Sequence, residues 1–176
     1  AMFFGLEDIR MRRHFIEESD ADEARKRVDH RRLDALVSIC EAVECRRRSL
    51  LAYFGDPIEP CGNCDNCLEP PNVVDGTEAA RAAVAAVLAT GERFGVAHIV
   101  DVLIGKATEK VVQFGHERTA PYGSGAQFKT PVWRSIIRQL VASHILEVDV
   151  AGYGGLRVTP RGRALENDGE SVMLRM

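Results

Sequence analysis

Four cysteines constrain this chain more than any other feature: Cys45, then after fifteen intervening residues the run Cys61-Gly62-Asn63-Cys64-Asp65-Asn66-Cys67. Thiols spaced so tightly cannot easily pair among themselves, but short turns can aim several thiolates at one cation. A fourth thiolate arriving from upstream completes the tetrahedron that a structural Zn²⁺ prefers. Cys45, Cys61, Cys64 and Cys67 are therefore the candidate metal ligands.

Two other chemistries use cysteines in this way. An iron–sulfur cluster also takes four thiolates, but the ferredoxin pattern continues to a further Cys-Pro, whereas here Cys67 is followed by Leu68-Glu69-Pro70-Pro71. A disulfide framework suits small secreted chains, and the opening residues Ala1 to Asp8 lack the basic, apolar and cleavage regions of a signal peptide. Zinc leads, iron–sulfur follows and disulfides come last. The fifth cysteine, Cys40, lies on an apolar helical stripe and reads as a small core residue.

The pair Pro70-Pro71 cannot continue a helix, and Asp75-Gly76-Thr77 reads as a turn and cap, so the chain is divided into residues 1–72 and 73–176. Charge divides with it. Residues 1–75 carry 11 Lys and Arg against 16 Asp and Glu, while residues 106–165 carry 9 against 4. The net charge of −3 hides a basic second half. No apolar stretch approaches the roughly 20 residues of a membrane span, so no membrane partner is expected.

The first segment reads as helical. Asp20-Ala21-Asp22-Glu23 has the form of a capping box, Asp29 is placed to cap a second helix carrying Leu33, Leu36, Val37, Cys40 and Val43, and a third runs from Arg46 to Phe54 and stops at Gly55. Arg46, Arg47 and Arg48 read first as a solvated helix face and second as phosphate contacts.

In the second segment, a helix capped by Thr77 runs to about Ala89, and a short one spans Gly95 to Leu103. A brief turn starts at Thr108. Thr130-Pro131 opens a helix burying Val132, Trp133, Ile136, Ile137, Leu140 and Val141. Strands Leu146–Val150 and Leu156–Thr159 then flank Ala151-Gly152-Tyr153-Gly154-Gly155. Helix, helix, basic helix and hairpin is the order of a winged helix. The fold class is mainly α with a small β wing: a helical zinc-binding subdomain followed by a winged-helix domain.

Lys106, Lys110, His116, Arg118, Lys129, Arg134, Arg138 and Arg157 fall in the elements that would face DNA, where cations neutralise phosphates. Tyr153, set among glycines at the hairpin tip, either stacks on a terminal base pair or folds onto its own hairpin.

The strings Cys45-Arg46-Arg47-Arg48-Ser49-Leu50-Leu51-Ala52-Tyr53-Phe54-Gly55 and Glu59-Pro60-Cys61 through Pro71 resemble the zinc-binding motif of RecQ DNA helicases. Arg93-Phe94-Gly95, Phe114-Gly115-His116 and Ile136-Ile137-Arg138-Gln139-Leu140 resemble that family's winged helix. The resemblance implies an ATP-dependent helicase moving 3′ to 5′ on single-stranded DNA. In it zinc holds a structural subdomain, the winged helix engages duplex or forked DNA in replication, recombination and repair, and Tyr153 is the hairpin-tip aromatic. It also implies a cytoplasmic, nucleoid-associated protein. This sequence has no GxxxxGK[ST] phosphate loop, so ATP and Mg²⁺ would be bound only by a longer parent protein. The expectation is a DNA-binding region with no catalysis of its own. The alternative is an adaptor whose winged helix docks an acidic peptide, such as the tail of a single-stranded-DNA-binding protein, with Arg93 and Arg163 as contacts.

Overall fold

Helix starts and stops follow the polar residues flanking each apolar run. In a computed structural model, residues 5–56, 58–149, 154–165 and 171–175 are described. They form two units, residues 1–74 with 175–176, and residues 75–174.

In the first unit α1 (Leu6–Glu17) and α2 (Glu23–Glu41) form a helical hairpin. The N-cap of α2 is Asp22, whose side chain accepts from Arg25 N–H at 2.7 Å. Asp29 caps nothing. It lies inside one continuous helix and pairs with Arg25 and Arg32, because the propensity of Glu23–Arg32 carries the helix straight through. The hairpin is stitched by polar contacts: Arg13 to Asp34 at 2.7 Å, His30 to Glu17 at 2.7 Å, and Lys26 Nζ to the Glu17 carbonyl at 2.7 Å. Ile9, Val37 and Cys45 are its buried apolar residues among those described. Cys40 is half-buried. Helix α3 (Arg46–Tyr53) ends where Gly55 takes φ +81°, and Leu50 and Phe54 on it are exposed. A single turn, α4 (Asp65–Leu68), is capped by Cys64 and contains Cys67, the last of the cysteine run.

Strand β1 (Val73–Asp75) leads into α5 (Thr77–Ala89). The Asp75 carboxylate accepts from the Thr77 N–H at 2.9 Å, so Asp75 supplies the capping oxygen expected of Thr77. Then come α6 (Val96–Leu103), α7 (Glu109–Gln113, capped by Thr108), a 3₁₀ turn His116–Arg118, and α8 (Thr130–Ala142). The N-cap of α8 is Lys129, one residue before the expected Thr130, with Pro131 in the first turn. Strands β2 (Leu146–Val148) and β3 (Leu156–Val158) pair antiparallel with Leu146 opposite Val158, and a short α9 (Pro160–Ala164) follows. Strand β4 (Met173–Arg175) pairs with β1.

Helices α5, α6 and α8 pack together under β2 and β3, and Ala83, Val84, Ile99, Leu103, Trp133, Ile136, Leu140 and Leu156 are fully buried. The wing edge is closed by residues 92–94. Glu92 accepts from the Val158 N–H at 2.8 Å, and the Phe94 carbonyl accepts from the Leu156 N–H at 2.9 Å. This is a winged helix built from the order of elements read in the sequence. No helix among the described residues is long and apolar enough to cross a membrane.

Trp133 is the chain's single tryptophan, and its Nε1–H donates to the Gly125 carbonyl at 2.7 Å. A Cβ at Gly125 would stand 2.4 Å from the indole ring. Gly125→Ala is expected to destabilise the second unit by about 1–3 kcal/mol through overpacking. Denaturant unfolding followed by Trp133 fluorescence measures it, and wild-type stability would contradict this packing.

Candidate metal centre and nucleic-acid interface

The loop between α2 and α3 brings Cys45 to the N-cap of α3, the turn before α4 supplies Cys61 and, at the N-cap of α4, Cys64, and α4 itself carries Cys67. Their four Sγ atoms all lie within 4.8 Å of one another, and Cys45 Sγ is 4.0 Å from Cys64 Sγ. Zinc–thiolate bonds of about 2.3 Å in a tetrahedron put sulfurs about 3.8 Å apart, so the cage fits one such ion. The Cys45 to Cys64 separation of 4.0 Å is far from a disulfide bond.

Backbone amides prepare this cage for negative charge. The Cys61 and Arg48 N–H groups donate to Cys45 Sγ at 3.3 and 3.4 Å and lower its thiol to about 6. Burial pushes the Cys64 thiol up, but the Arg46 N–H and the neighbouring cysteines outweigh it, and the net direction is down. Cys67, hydrogen-bonded to Cys64 and half-buried with it, is pushed up to about 11.

Two side chains lock the turn to the end of α2. Arg46 donates to both Asp65 carboxylate oxygens, at 2.7 and 2.8 Å, and to the carbonyls of Ile39 and Cys40, at 2.9 and 3.0 Å. Asn66 is buried and donates to the carbonyls of Ala42 and Glu44, both at 2.7 Å. Together they satisfy carbonyls that a helix C-terminus leaves open. Arg46 is therefore not a solvated charge, and Arg47 and Arg48 are the exposed members of the triplet. Sequence reasoning treated Asp65 and Asn66 as spacers between ligands. No local signal marks them, because their partners lie 19 to 24 residues upstream.

In the second unit the expected DNA contacts separate by environment. Lys110, Lys129 and Arg134 are exposed, with Lys129 and Arg134 at the start of α8. Arg138, four residues along α8, is half-buried. Lys106 pairs with Asp101 at 3.7 Å, Arg118 with Glu117 at 3.2 Å, and Arg157 with Asp149 at 2.6 Å. His116 is a correction. It is buried and shares a 2.7 Å ring nitrogen hydrogen bond with His98, so it packs inside the domain and has no surface to offer a phosphate. Tyr153 lies outside the described residues. Of the adaptor candidates, Arg163 is held by both Glu92 carboxylate oxygens at 2.8 Å, while Arg93 lies over the Phe94 and Phe114 rings.

The comparisons with known proteins bear on both halves. The RecQ zinc-binding family model matches residues 6–68, and the RQC domain model matches residues 70–176. The chain belongs to the C-terminal region of the RecQ family. It is 36% identical over 121 residues to the ATP-dependent DNA helicase RecQ of Pasteurella multocida, covering 68% of this chain and 19% of that protein. It is 29% identical over 164 residues to the ATP-dependent DNA helicase RecQ of Bacillus subtilis, covering 92% of this chain and 27% of that protein. An Arabidopsis thaliana relative, ATP-dependent DNA helicase Q-like 4B, is 32% identical over 154 residues, covering 80% of this chain and 13% of that protein. The chain thus spans about a quarter or less of the length of these relatives. Zinc-binding family membership and the four-thiolate cage agree on a structural Zn²⁺.

Two outcomes follow from the site. Asn66→Asp sets carboxylate oxygens against two carbonyls, and is expected to weaken zinc binding about 10- to 100-fold, the usual effect of losing a residue that orients ligands. Competition with a chromogenic chelator reads the affinity, and the cobalt-substituted spectrum should still report four thiolates. Zinc removal, or Cys64→Ser, is expected to unfold the first unit before the second.

The histidine pair gives a pH dependence. Burial, then His116 and Lys110, lower His98 to about 4, and burial followed by Arg93 lowers His116. As pH falls below about 6.5 the unfolded chain takes up protons before the folded one. Stability from the neutral pair is complete above that pH and is lost on the way to about 4. The expected loss is on the order of 2–3 kcal/mol. Denaturant melts from pH 7 to pH 4.5 should show a steeper fall for wild type than for His98→Asn.

Proposed function

We propose that this chain is the DNA-engaging C-terminal region of a RecQ-type helicase that unwinds DNA 3′ to 5′ in replication, recombination and repair. Residues 1–72 act as the zinc-binding subdomain, with Cys45, Cys61, Cys64 and Cys67 as ligands, and residues 73–176 as the winged-helix domain. ATP and Mg²⁺ belong to other parts of the parent protein, which works on the nucleoid in the cytoplasm.

The observation that carries this reading is the exposed pair Lys129 and Arg134 at the N-terminal end of α8, neither of which has a carboxylate within ion-pair distance among the described residues. Cations at a helix N-terminus suit phosphates, because the helix end itself offers free N–H groups. Lys106, Arg118 and Arg157 are themselves exposed, but each neutralises a largely buried carboxylate, so they join by sharing their charge between Asp101, Glu117 or Asp149 and a phosphate. Arg138 and the hairpin tip at Tyr153 complete the proposed surface, with duplex, forked or single-strand-junction DNA as its ligand. The adaptor reading, in which a single-stranded-DNA-binding protein tail docks through Arg93 and Arg163, is second, because Glu92 already occupies Arg163 on both oxygens.

Fluorescence anisotropy with a forked duplex across a salt series tests the reading. Wild type should bind with a steep salt dependence, and Arg134→Ala should weaken all sequences about equally and lower the slope by roughly one. No binding at low salt would overturn the DNA reading. Unchanged affinity and slope would remove Arg134 from the interface.

A further inference from the structure

Apart from Lys129, Arg134, Arg138 and Arg161, the cations of the second unit fall into two groups. Arg81, Lys106, Arg118, Arg157 and Arg163 each stand within 4 Å of a carboxylate. Arg93 and Lys110 do not; both instead lie over aromatic rings. The Arg93 guanidinium is 5.3 Å from the Phe94 ring centre and 5.5 Å from that of Phe114, and Lys110 Nζ is 5.3 Å from that of Phe94. Two like charges therefore converge on one small aromatic cluster, neither with a carboxylate within 4 Å among the described residues, while Glu117, whose charge reaches His116, pairs with Arg118 instead. The arrangement favours an anionic visitor. Each also disfavours protonation of an imidazole in that cluster, Lys110 of His98 and Arg93 of His116.

The cluster is held rigidly from below. Phe94 is buried, stacks on His98 at 4.2 Å and meets Phe114 and His116 edge to face at 4.9 Å each, while His98 and His116 are joined by their 2.7 Å hydrogen bond. Its top is open: Phe114 is 43% exposed and its neighbour Val112 is 53% exposed. A peptide side chain that anchors binding needs an enclosing pocket. An exposed ring beside a planar guanidinium suits a flat partner, and a nucleotide is a flat base attached to an anion.

The geometry points to an interaction surface on which Arg93, Phe114 and Lys110 take one unpaired nucleotide of a DNA strand leaving a duplex, with its base on the Arg93 and Phe114 layer and its phosphate on Lys110. This rests on the DNA reading above, and adds to it a place for the single strand apart from the α8 surface proposed for the duplex.

The test compares two labelled substrates with the full chain: a blunt duplex, and the same duplex carrying a single-stranded tail. Phe114→Ala is expected to lower affinity for the tailed substrate about thirtyfold, the middle of the range for loss of one stacked base. Affinity for the blunt duplex should stay unchanged. Lys110→Gln should do the same and reduce the salt slope on the tailed substrate alone. Arg93→Lys keeps the charge but loses the plane, so it should lose the tail preference while keeping the slope. Wild-type discrimination in Phe114→Ala and Arg93→Lys, with Arg134→Ala still weakening both substrates, would overturn the shelf and leave the DNA reading standing. Absence of binding to either substrate would overturn both. Competition of an acidic, aromatic-ended peptide for the tail, abolished by Phe114→Ala, would reassign the surface to a peptide.

Discussion

The first unit depends on coordination chemistry because it has almost no core. Ile9, Val37 and Cys45 are the apolar residues it buries among those described, while Phe15, Leu36, Tyr53, Phe54 and Leu68 are exposed. A segment of this size without a hydrophobic interior needs another source of cohesion, and a metal bound only by the folded state supplies it. Four thiolates held within 4.8 Å provide the site, but their convergence is itself arranged by Arg46 and Asn66, which draw the cysteine turn onto the carbonyls ending α2. The ion and this polar clasp support each other. Without the ion the thiolates repel, and without the clasp Cys45 is not fixed against the other three.

The second unit is organised on the opposite principle. Its helices and strands bury Trp133 and a ring of Ile, Leu, Val and Ala side chains at close to zero exposure, so its frame is stable by packing and its surface is free to carry charge. Even the wing edge is managed internally, since Glu92 and Phe94 accept the β3 amides that would otherwise face solvent. Glycine matters here where backbone must approach closely. A Cβ at Gly155 would meet the Arg93 backbone at 2.8 Å, so the segment carrying Arg93 and Phe94 can lie against β3 only because that position has no side chain.

The features legible in the sequence were those fixed by local chemistry. Cysteine spacing and the proline opening α8 act within a few residues: the four thiols converge, and Pro131 stands in the first turn of its helix. Errors arose where two local signals competed or where partners were distant in sequence. Asp29 resembled a cap, but a helix already begun at Glu23 has no reason to stop before a residue that forms favourable pairs three and four positions away. His116 looked like surface because it stands among glycines and charges, and its partner His98 is 18 residues away on another helix. The carboxylates facing Lys106 and Arg157 are likewise set by loop and strand geometry, not by composition. Asn66 was hidden in plain view, since its role depends on carbonyls 22 and 24 residues upstream.

Net charge is a poor guide to a chain divided in this way. At physiological salt, charges more than about 8 Å apart are largely screened from each other, so a phosphate near α8 responds to Lys129 and Arg134 far more than to carboxylates elsewhere in the chain. The acidic character of residues 1–75 is mostly consumed locally: Asp34, Asp29 and Asp65 each hold an arginine, and Glu17 holds His30 and, through its carbonyl, Lys26. Those pairs add polar stitching to the first unit, whose cohesion the metal centre supplies. In the second unit the cations with no carboxylate within 4 Å among the described residues include Arg93, Lys110, Lys129 and Arg134, which the packed core does not need as ion-pair partners. One chain thus uses charge for cohesion where it lacks a core and keeps it for recognition where it has one, and the sum of −3 records neither use.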